Sequence, residues 1–261
     1  MTRVGVFGAA GRMGSTVCEA VEGDPDLELV AVVDPLHAGI DLRQAARVDS
    51  HLQVAASRDA LLDAGAEVVV DFTVAGAARE NLAFAAEHGL HAVVGTTGFT
   101  DEDLAAIEAS FTKSSCLVAA NFAIGAVLLM RFAELAAPWF ETAEIIELHH
   151  DGKVDAPSGT AMATARRMAA ASGDWAPDPT TDEVVAGARG GSGPGGIPIH
   201  SVRLRGLFAH QEVVLGTSGQ SLSLRHDTYD RTCYMPGVLL AVKHVHERPG
   251  LTVGIDGLLG V

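Results

Sequence analysis

Short apolar runs alternate with amphipathic stretches over the first half of the chain. Val4-Gly5-Val6-Phe7 reads as a buried strand, and Arg12 to Val21 follows with helical spacing that places Met13, Val17, Ala20 and Val21 on one face. Leu29 to Val33 is a β-rich run ending at Asp34. Val68-Val69-Val70 runs into Asp71-Phe72-Thr73, Ala92-Val93-Val94 into Gly95-Thr96-Thr97-Gly98, and Cys116 to Ala119 into Asn121-Phe122. Helices are predicted at Ala77 to Glu87 and Asp101 to Phe111, the second with Thr100 as N-cap and Asp103 completing a capping box. Residues 35–58 break the rhythm and read as a loop with one short helix and a weak strand around Val54. Strands and helices alternating at this spacing imply βαβ units and a parallel sheet.

The rhythm changes in the second half. Gly125 to Phe140 is predicted as a long helix with Val127, Leu128, Phe132 and Leu135 inward, Ala143 to Leu148 as a strand, and Ser158 to Ala171 as a helix. The stretch GARGGSGPGGIP, Gly187 to Pro198, is too rich in glycine for regular structure and reads as a mobile loop. His200 to Leu204, Gln211 to Leu215 and Ser221 to Arg225 follow without helices between them, so they should pair as an antiparallel or mixed sheet. A helix near Pro236 to His246 and a strand at Leu251 to Gly254 end the pattern. The fold class expected is α/β: a Rossmann-type parallel-sheet domain plus a smaller α/β domain with a mixed sheet.

Composition narrows the function classes. Hydrophobic residues make up 48% of the 261 positions, enough for a sizeable core of Ala, Val, Leu and Ile. A formal net charge of −15 repels nucleic acid and anionic membranes, so neither is an expected partner, and any anionic small ligand must meet a local cluster of cations or backbone N–H groups. Cys18, Cys116 and Cys233 are scattered, with neither disulfide nor metal-ligand spacing, which suits a reducing cytosol. No signal peptide is visible, and the longest apolar run, Ala123 to Met130, falls short of the about 20 residues a bilayer needs. The expected location is cytoplasmic.

Two motifs carry chemistry. The first is GAAGRMG, with Gly8, Gly11 and Gly14 directly after a strand and at the mouth of a helix. The glycines serve a tight turn, close approach to a pyrophosphate and close helix–strand packing, while the helix N-terminus offers N–H groups to phosphates. The spacing is Gly-x-x-Gly-x-x-Gly, one residue longer than the commoner fingerprint. Asp34 stands where an acid binds the ribose hydroxyls of a dinucleotide. Thr96, Thr97 and Asn121, beyond strand ends, are candidates for the nicotinamide side; taken singly, such residues more often merely form turns. No arginine follows Asp34 directly, and Arg12 is the one nearby cation able to reach a 2′-phosphate, so NADH is expected to be preferred over NADPH or used equally.

The second motif is HHDGKVDAPSGTA, His149 to Ala161. Lys153 and the N–H groups of Gly159 and Thr160, at a helix start N-capped by Ser158, make a carboxylate trap. His149 beside it can donate a proton near neutral pH. The pieces point to reduction of a small polycarboxylate. Adjacent histidines can also mark a metal site, but Asp151 is the only nearby carboxylate with easy reach and no further Cys/His pair supports one, so no metal is expected.

The chain resembles the 4-hydroxy-tetrahydrodipicolinate reductase (dihydrodipicolinate reductase) family nearly end to end. The resemblance rests on VGVFGAAGRMG, DFT at Asp71, VVGTTGF from Val93, NFAIG from Asn121 and, most specifically, ELHHDGKVDAPSGTA. It implies NADH- or NADPH-dependent reduction of the cyclic dicarboxylate made from aspartate semialdehyde and pyruvate, in lysine and diaminopimelate biosynthesis. It further implies His149 as proton donor with Lys153 its catalytic companion. His150, Lys153, Ser158, Gly159 and Thr160 would hold the substrate. Gly8, Ala9, Ala10, Gly11, Arg12, Met13, Asp34, Gly95, Thr96, Thr97, Ala119, Ala120, Asn121 and Phe122 would line the cofactor. The family's organisation implies a dinucleotide-binding domain over 1–121, a substrate-binding and tetramerisation domain over 122–230, a segment 231–261 that returns to the first domain, and a homotetramer. The alternatives are another Rossmann-fold NAD(P)-dependent oxidoreductase acting on a small carboxylate, a Rossmann oxidoreductase that works on aldehydes through a cysteine thioester, and a non-catalytic cofactor sensor.

Overall fold

Strand β1 (Thr2–Phe7) lies inside a fully parallel sheet, flanked by β2 (Leu27–Val33) and β3 (Val68–Asp71). The sheet continues through β4 (His91–Val94) and β5 (Ser115–Val118), giving the order β2-β1-β3-β4-β5 before its last strand. β3 and β5 are buried along their whole length, as strands covered on both faces must be, which is why they read as unbroken apolar runs rather than alternations. The computed structural model describes all 261 residues and divides them into two units, Met1–Ala123 with Tyr234–Gly260, and Ile124–Cys233 with the terminal Val261.

In the first unit, α1 (Arg12–Glu22) buries Gly14, Val17, Cys18 and Val21, while Met13 and Ala20 are only partly covered. The face is rotated from the expected one because the helix start leans on the turn before it: a Cβ at Gly14 would lie 2.0 Å from the Gly8 carbonyl oxygen. The weak strand expected around Val54 is two isolated bridges, Val33 to Ala55 in parallel and Asp41 to Gln53 antiparallel, the first of which places a stub beyond β2. α2 (Leu42–Ala46) is the short helix of that region, and α3 (Asp59–Asp63) is a further one the pattern did not reveal. α4 (Ala75–His88) and α5 (Asp101–Ser110) follow, the latter with the Thr100–Asp103 capping box formed.

The second unit is built on a mixed sheet. α6 (Ile124–Ala136) precedes β6 (Thr142–His149), and α7 (Gly159–Ala171) precedes β7 (Gly191–Ser192), β8 (Pro198–Arg203), β9 (Ala209–Thr217) and β10 (Gln220–Thr228). The order is β10-β9-β6-β8-β7, with β6 parallel to β8 and antiparallel to β9. Leu129 and Ala133 of α6 and Ala161, Ala165 and Met168 of α7 pack on Ala143, Ile145, Val213 and Leu215 of one sheet face.

Two expectations fail in this unit. α6 buries Ala126, Val127, Leu129, Met130 and Ala133, whereas Phe132 and Leu135 are 46% and 53% exposed. The helix is apolar nearly all round, so periodicity alone cannot choose its inner face. The glycine-rich stretch is not an unstructured loop either: it forms β7 and a 3-10 turn over Pro194–Gly196. Its glycines let the chain hug β8, since a Cβ at Gly193 would lie 2.7 Å from the Ile199 side chain.

After the second unit the chain adds α8 (Met235–His244), β11 (Gly250–Val253) and α9 (Asp256–Leu259) to the first. β11 pairs in parallel with β5 as the sheet's last strand.

Candidate active site

The turn after β1 is shaped as a phosphate cradle. Gly8 takes a positive φ of 64°, which a side chain would strain, and its N–H donates to the Val33 carbonyl. Gly11 is the N-cap of α1 and offers no side-chain cap, so the first amides of this helix lack a side-chain acceptor from that residue. Asp34, at the end of β2, accepts from the Ala10 N–H at 3.2 Å and the Leu36 N–H at 3.1 Å, and its other contact is the His37 ring at 3.2 Å. These bonds tie the carboxylate to the glycine turn and still leave acceptor capacity on its oxygens. A cavity of about 910 Å³ runs along Gly8, Gly11, Asp34 and Leu36 to Phe72 and Thr73. It lies at the carboxyl ends of β1 and β3, where an open parallel sheet reverses direction and binds its ligands.

The cavity also meets Arg58, which sequence reasoning missed. Arg12 is therefore not the one cation at this end; it stands exposed as the first residue of α1, outside the cavity lining. Arg58 Nε donates to Asn81 Oδ1 at 2.8 Å, and Asn81 Nδ2 donates to the buried Asp71 at 2.7 Å. The same carboxylate accepts from the Thr73 N–H and hydroxyl and from the Thr96 hydroxyl at 3.0 Å. Thr96 is thus turned inward, while Thr97 is exposed at the end of β4. Gly95–Thr97 and Ala119–Phe122 stand at the ends of β4 and β5, outside the cavity lining. Within the latter stretch, Asn121 Oδ1 accepts from the Ala123 N–H, and the Phe122 ring packs 5.7 Å from that of Phe72.

In the second unit, period-two geometry puts Glu147 and His149 on one face of β6. Glu147 is completely buried, and its Oε2 lies 2.5 Å from His149 Nδ1. From the adjoining β8, register-paired with His149, Arg203 grips the same carboxylate in a fork at 2.8 and 2.9 Å. The Ser158 N–H donates to its other face at 3.2 Å. Burial alone would raise the Glu147 carboxyl, but the hydrogen bonds from His149 and Arg203 outweigh it and hold it at about 2. Arg203 also donates to the carbonyls of Lys153 at 3.3 Å and Asp155 at 2.6 Å. One guanidinium therefore fixes the strand end and the loop after it.

Lys153 meets both oxygens of Asp155 at 2.8 Å. The ammonium thus holds one carboxylate through both of its oxygens. Asp151, the carboxylate expected nearest, instead pairs with Arg205; the nearer ones are Glu147 and Asp155. Ser158 is buried and spends its side chain as N-cap, accepting from the Ala161 N–H at 3.2 Å. It shapes the helix start, leaving Gly159 and Thr160 to open α7. His150 lies in the turn closed by its carbonyl and the Lys153 N–H. Burial pushes the Cys18, Cys116 and Cys233 thiols all upward, which disfavours the nucleophilic thiolate form.

The chain is similar to known proteins over nearly its whole length. Residues 2–122 match the family described as dihydrodipicolinate reductase, N-terminus, and residues 125–259 its C-terminus. A 4-hydroxy-tetrahydrodipicolinate reductase of Mycobacterium sp. (strain KMS) is 51% identical, with 98% of each chain covered. Another from Cutibacterium acnes is 50% identical over the whole of both. A solved dipicolinate-bound dihydrodipicolinate reductase from Paenisporosarcina sp. TG-14 superposes with a TM-score of 0.86 at 40% identity, covering 98% of this chain and 99% of that one. An amine dehydrogenase from Mycobacterium smegmatis, at 16% identity and a TM-score of 0.64, shares the fold alone. No helix is long and apolar enough to cross a membrane. On the strength of its cradle, its histidine–lysine loop and these matches over nearly its whole length, the chain belongs to the dihydrodipicolinate reductase family.

Proposed function

We propose that the chain catalyses NAD(P)H-dependent reduction of 4-hydroxy-tetrahydrodipicolinate to tetrahydrodipicolinate, in lysine and diaminopimelate biosynthesis in the cytoplasm. The observation that carries this reading is the His149–Lys153 loop. An imidazole held by a buried carboxylate stands four residues from an ammonium that already binds one carboxylate, at the start of a helix. That the Paenisporosarcina protein was solved with dipicolinate bound supports a planar dicarboxylate as the ligand class.

The cofactor is held by the Gly8–Met13 turn, Asp34, Gly95–Thr97 and Ala119–Phe122, and the dicarboxylate by His150, Lys153, Gly159 and Thr160. The dihydronicotinamide, when bound, supplies a hydride, and with it both electrons of the reduction. The 4-hydroxyl of the substrate leaves as water; the dehydrated ring then takes the hydride and a proton from His149, two hydrogens in all, to give tetrahydrodipicolinate, and the imidazole is reprotonated from solvent. Lys153 neutralises carboxylate charge on the substrate as the reaction proceeds. Asp34 favours NADH, because a 2′-phosphate would bring negative charge against its carboxylate; NADPH use rests on Arg12 and Arg58.

The chain is proposed to act as a homotetramer. Phe132, Leu135 and Trp139, exposed along and just after α6, form an apolar stripe that association with further copies would cover. Sedimentation tests the assembly. For the activity, purified protein should consume NADH on addition of substrate freshly formed from aspartate semialdehyde and pyruvate, and not before.

A further inference from the structure

The buried carboxylate beneath His149 has no part in binding either ligand as described above. A buried ionised group is costly unless it is fully partnered, and Glu147 is partnered by Arg203, the Ser158 N–H and the His149 ring. Arg203 and Ser158 neutralise it and fix its position. The third partner is the one that can change its proton content. We propose that Glu147, clamped by Arg203, is the positioning residue that fixes His149 in a single tautomer with Nε2 as its proton-donating atom.

The chemistry follows from which atoms can donate. An ionised carboxylate only accepts, so the 2.5 Å contact requires the hydrogen to sit on His149 Nδ1. In the protonated ring, Nε2–H is then the proton aimed away from Glu147. After that proton leaves for the substrate, the neutral ring keeps its Nδ1 hydrogen on Glu147, and Nε2 carries the lone pair that solvent reprotonates. Glu147 takes up no proton at any stage, because its hydrogen bonds hold it at about 2. The other charged groups around this centre are Arg203 on β8 and the Lys153–Asp155 pair of the loop, and Arg203 bonds to the carbonyls of both. The short spacing i, i+2 on β6 supplies the alignment, and β8 supplies the clamp.

The proposal rests on the proton-donor role given to His149, and its test separates the two. The first measurement needs no variant: nitrogen-15 NMR of the ring in the wild-type protein, above the pH at which it loses its proton. Nδ1 is expected to be protonated and Nε2 bare; the reverse tautomer would overturn the proposal. The second measurement compares Glu147→Gln with the wild type in steady-state kinetics across pH. The expected result is a loss of about 10²-fold in kcat with little change in KM for the dicarboxylate. A variant that folds and keeps the wild-type kcat would also overturn it. If the wild type fails to consume NADH with this substrate, the reductase reading falls, while the tautomer measurement still decides the proposal.

Discussion

Arg203 reaches from β8 to meet both carboxylate oxygens of Glu147 on β6, at 2.8 and 2.9 Å, beneath the His149 ring. The pair is forked, with Glu147 completely buried and Arg203 partly exposed, and a two-pronged contact is one that lysine cannot reproduce. Removing the cation leaves a buried anion with no fixed positive charge against it, answered by the His149 ring, the Ser158 amide and the Ser201 hydroxyl. Arg203→Gln should therefore destabilise the protein by about 3–5 kcal/mol, and Arg203→Lys by less, as read in urea denaturation. Equal stability of all three proteins would mean that the pair is solvated.

The same carboxylate sets a pH limit on stability. Glu147 has a folded value of about 2 against an ordinary 4.5. Its contribution, on the order of 3 kcal/mol, is complete above pH 4.5 and is lost as the pH falls toward 2. Unfolding free energies measured from pH 5 to pH 2 should drop more steeply for the wild type than for Glu147→Gln. Parallel curves would contradict this.

On the proposed reading, Lys153 exchanges Asp155 for a substrate carboxylate. Lys153→Ala should raise KM for the dicarboxylate by about 10- to 100-fold, the worth of a charged hydrogen bond, and lower kcat as well, because the same ammonium acts on developing charge. Pyridine-2,6-dicarboxylate should inhibit competitively against substrate, and a bulky residue at Thr160 should weaken that inhibition. Unchanged inhibition constants would place the carboxylates elsewhere.

On the proposed reading, cofactor choice turns on Asp34, Arg12 and Arg58. NADH should be used as well as or better than NADPH. Arg12→Ala and Arg58→Ala should each reduce kcat/KM for NADPH more than for NADH, by about tenfold for a lost charged contact. Arg58→Ala also removes the bond to Asn81, so its thermal unfolding should be measured alongside. A strong NADPH preference in the wild type, or equal losses for both cofactors, would defeat this assignment.

The parallel sheet was legible because β3, β4 and β5 are short apolar runs between helices of ordinary length, and the glycine turn because its residues are adjacent in the chain. The inner face of α6 was not legible: Leu129 and Met130 turn inward and Phe132 and Leu135 outward, yet all four are apolar. Glu147 stood in view two residues before His149, but its role depends on Arg203, 56 positions later. Asp71, Asn81 and Arg58 share that difficulty, since only the fold joins them into one hydrogen-bonded chain. What one segment does alone can be read from it; what two distant segments do together depends on the register between them.

The central claim is that His149 delivers the proton that completes reduction of the dicarboxylate. The most direct measurement compares the wild type with His149→Gln in NADH oxidation driven by 4-hydroxy-tetrahydrodipicolinate, with NADH affinity determined for both. The expected result is turnover by the wild type, a fall of about 10²–10⁴-fold in kcat for the variant, and unchanged NADH binding. No substrate-dependent oxidation by the wild type, or a variant that runs at the wild-type rate, would contradict the account.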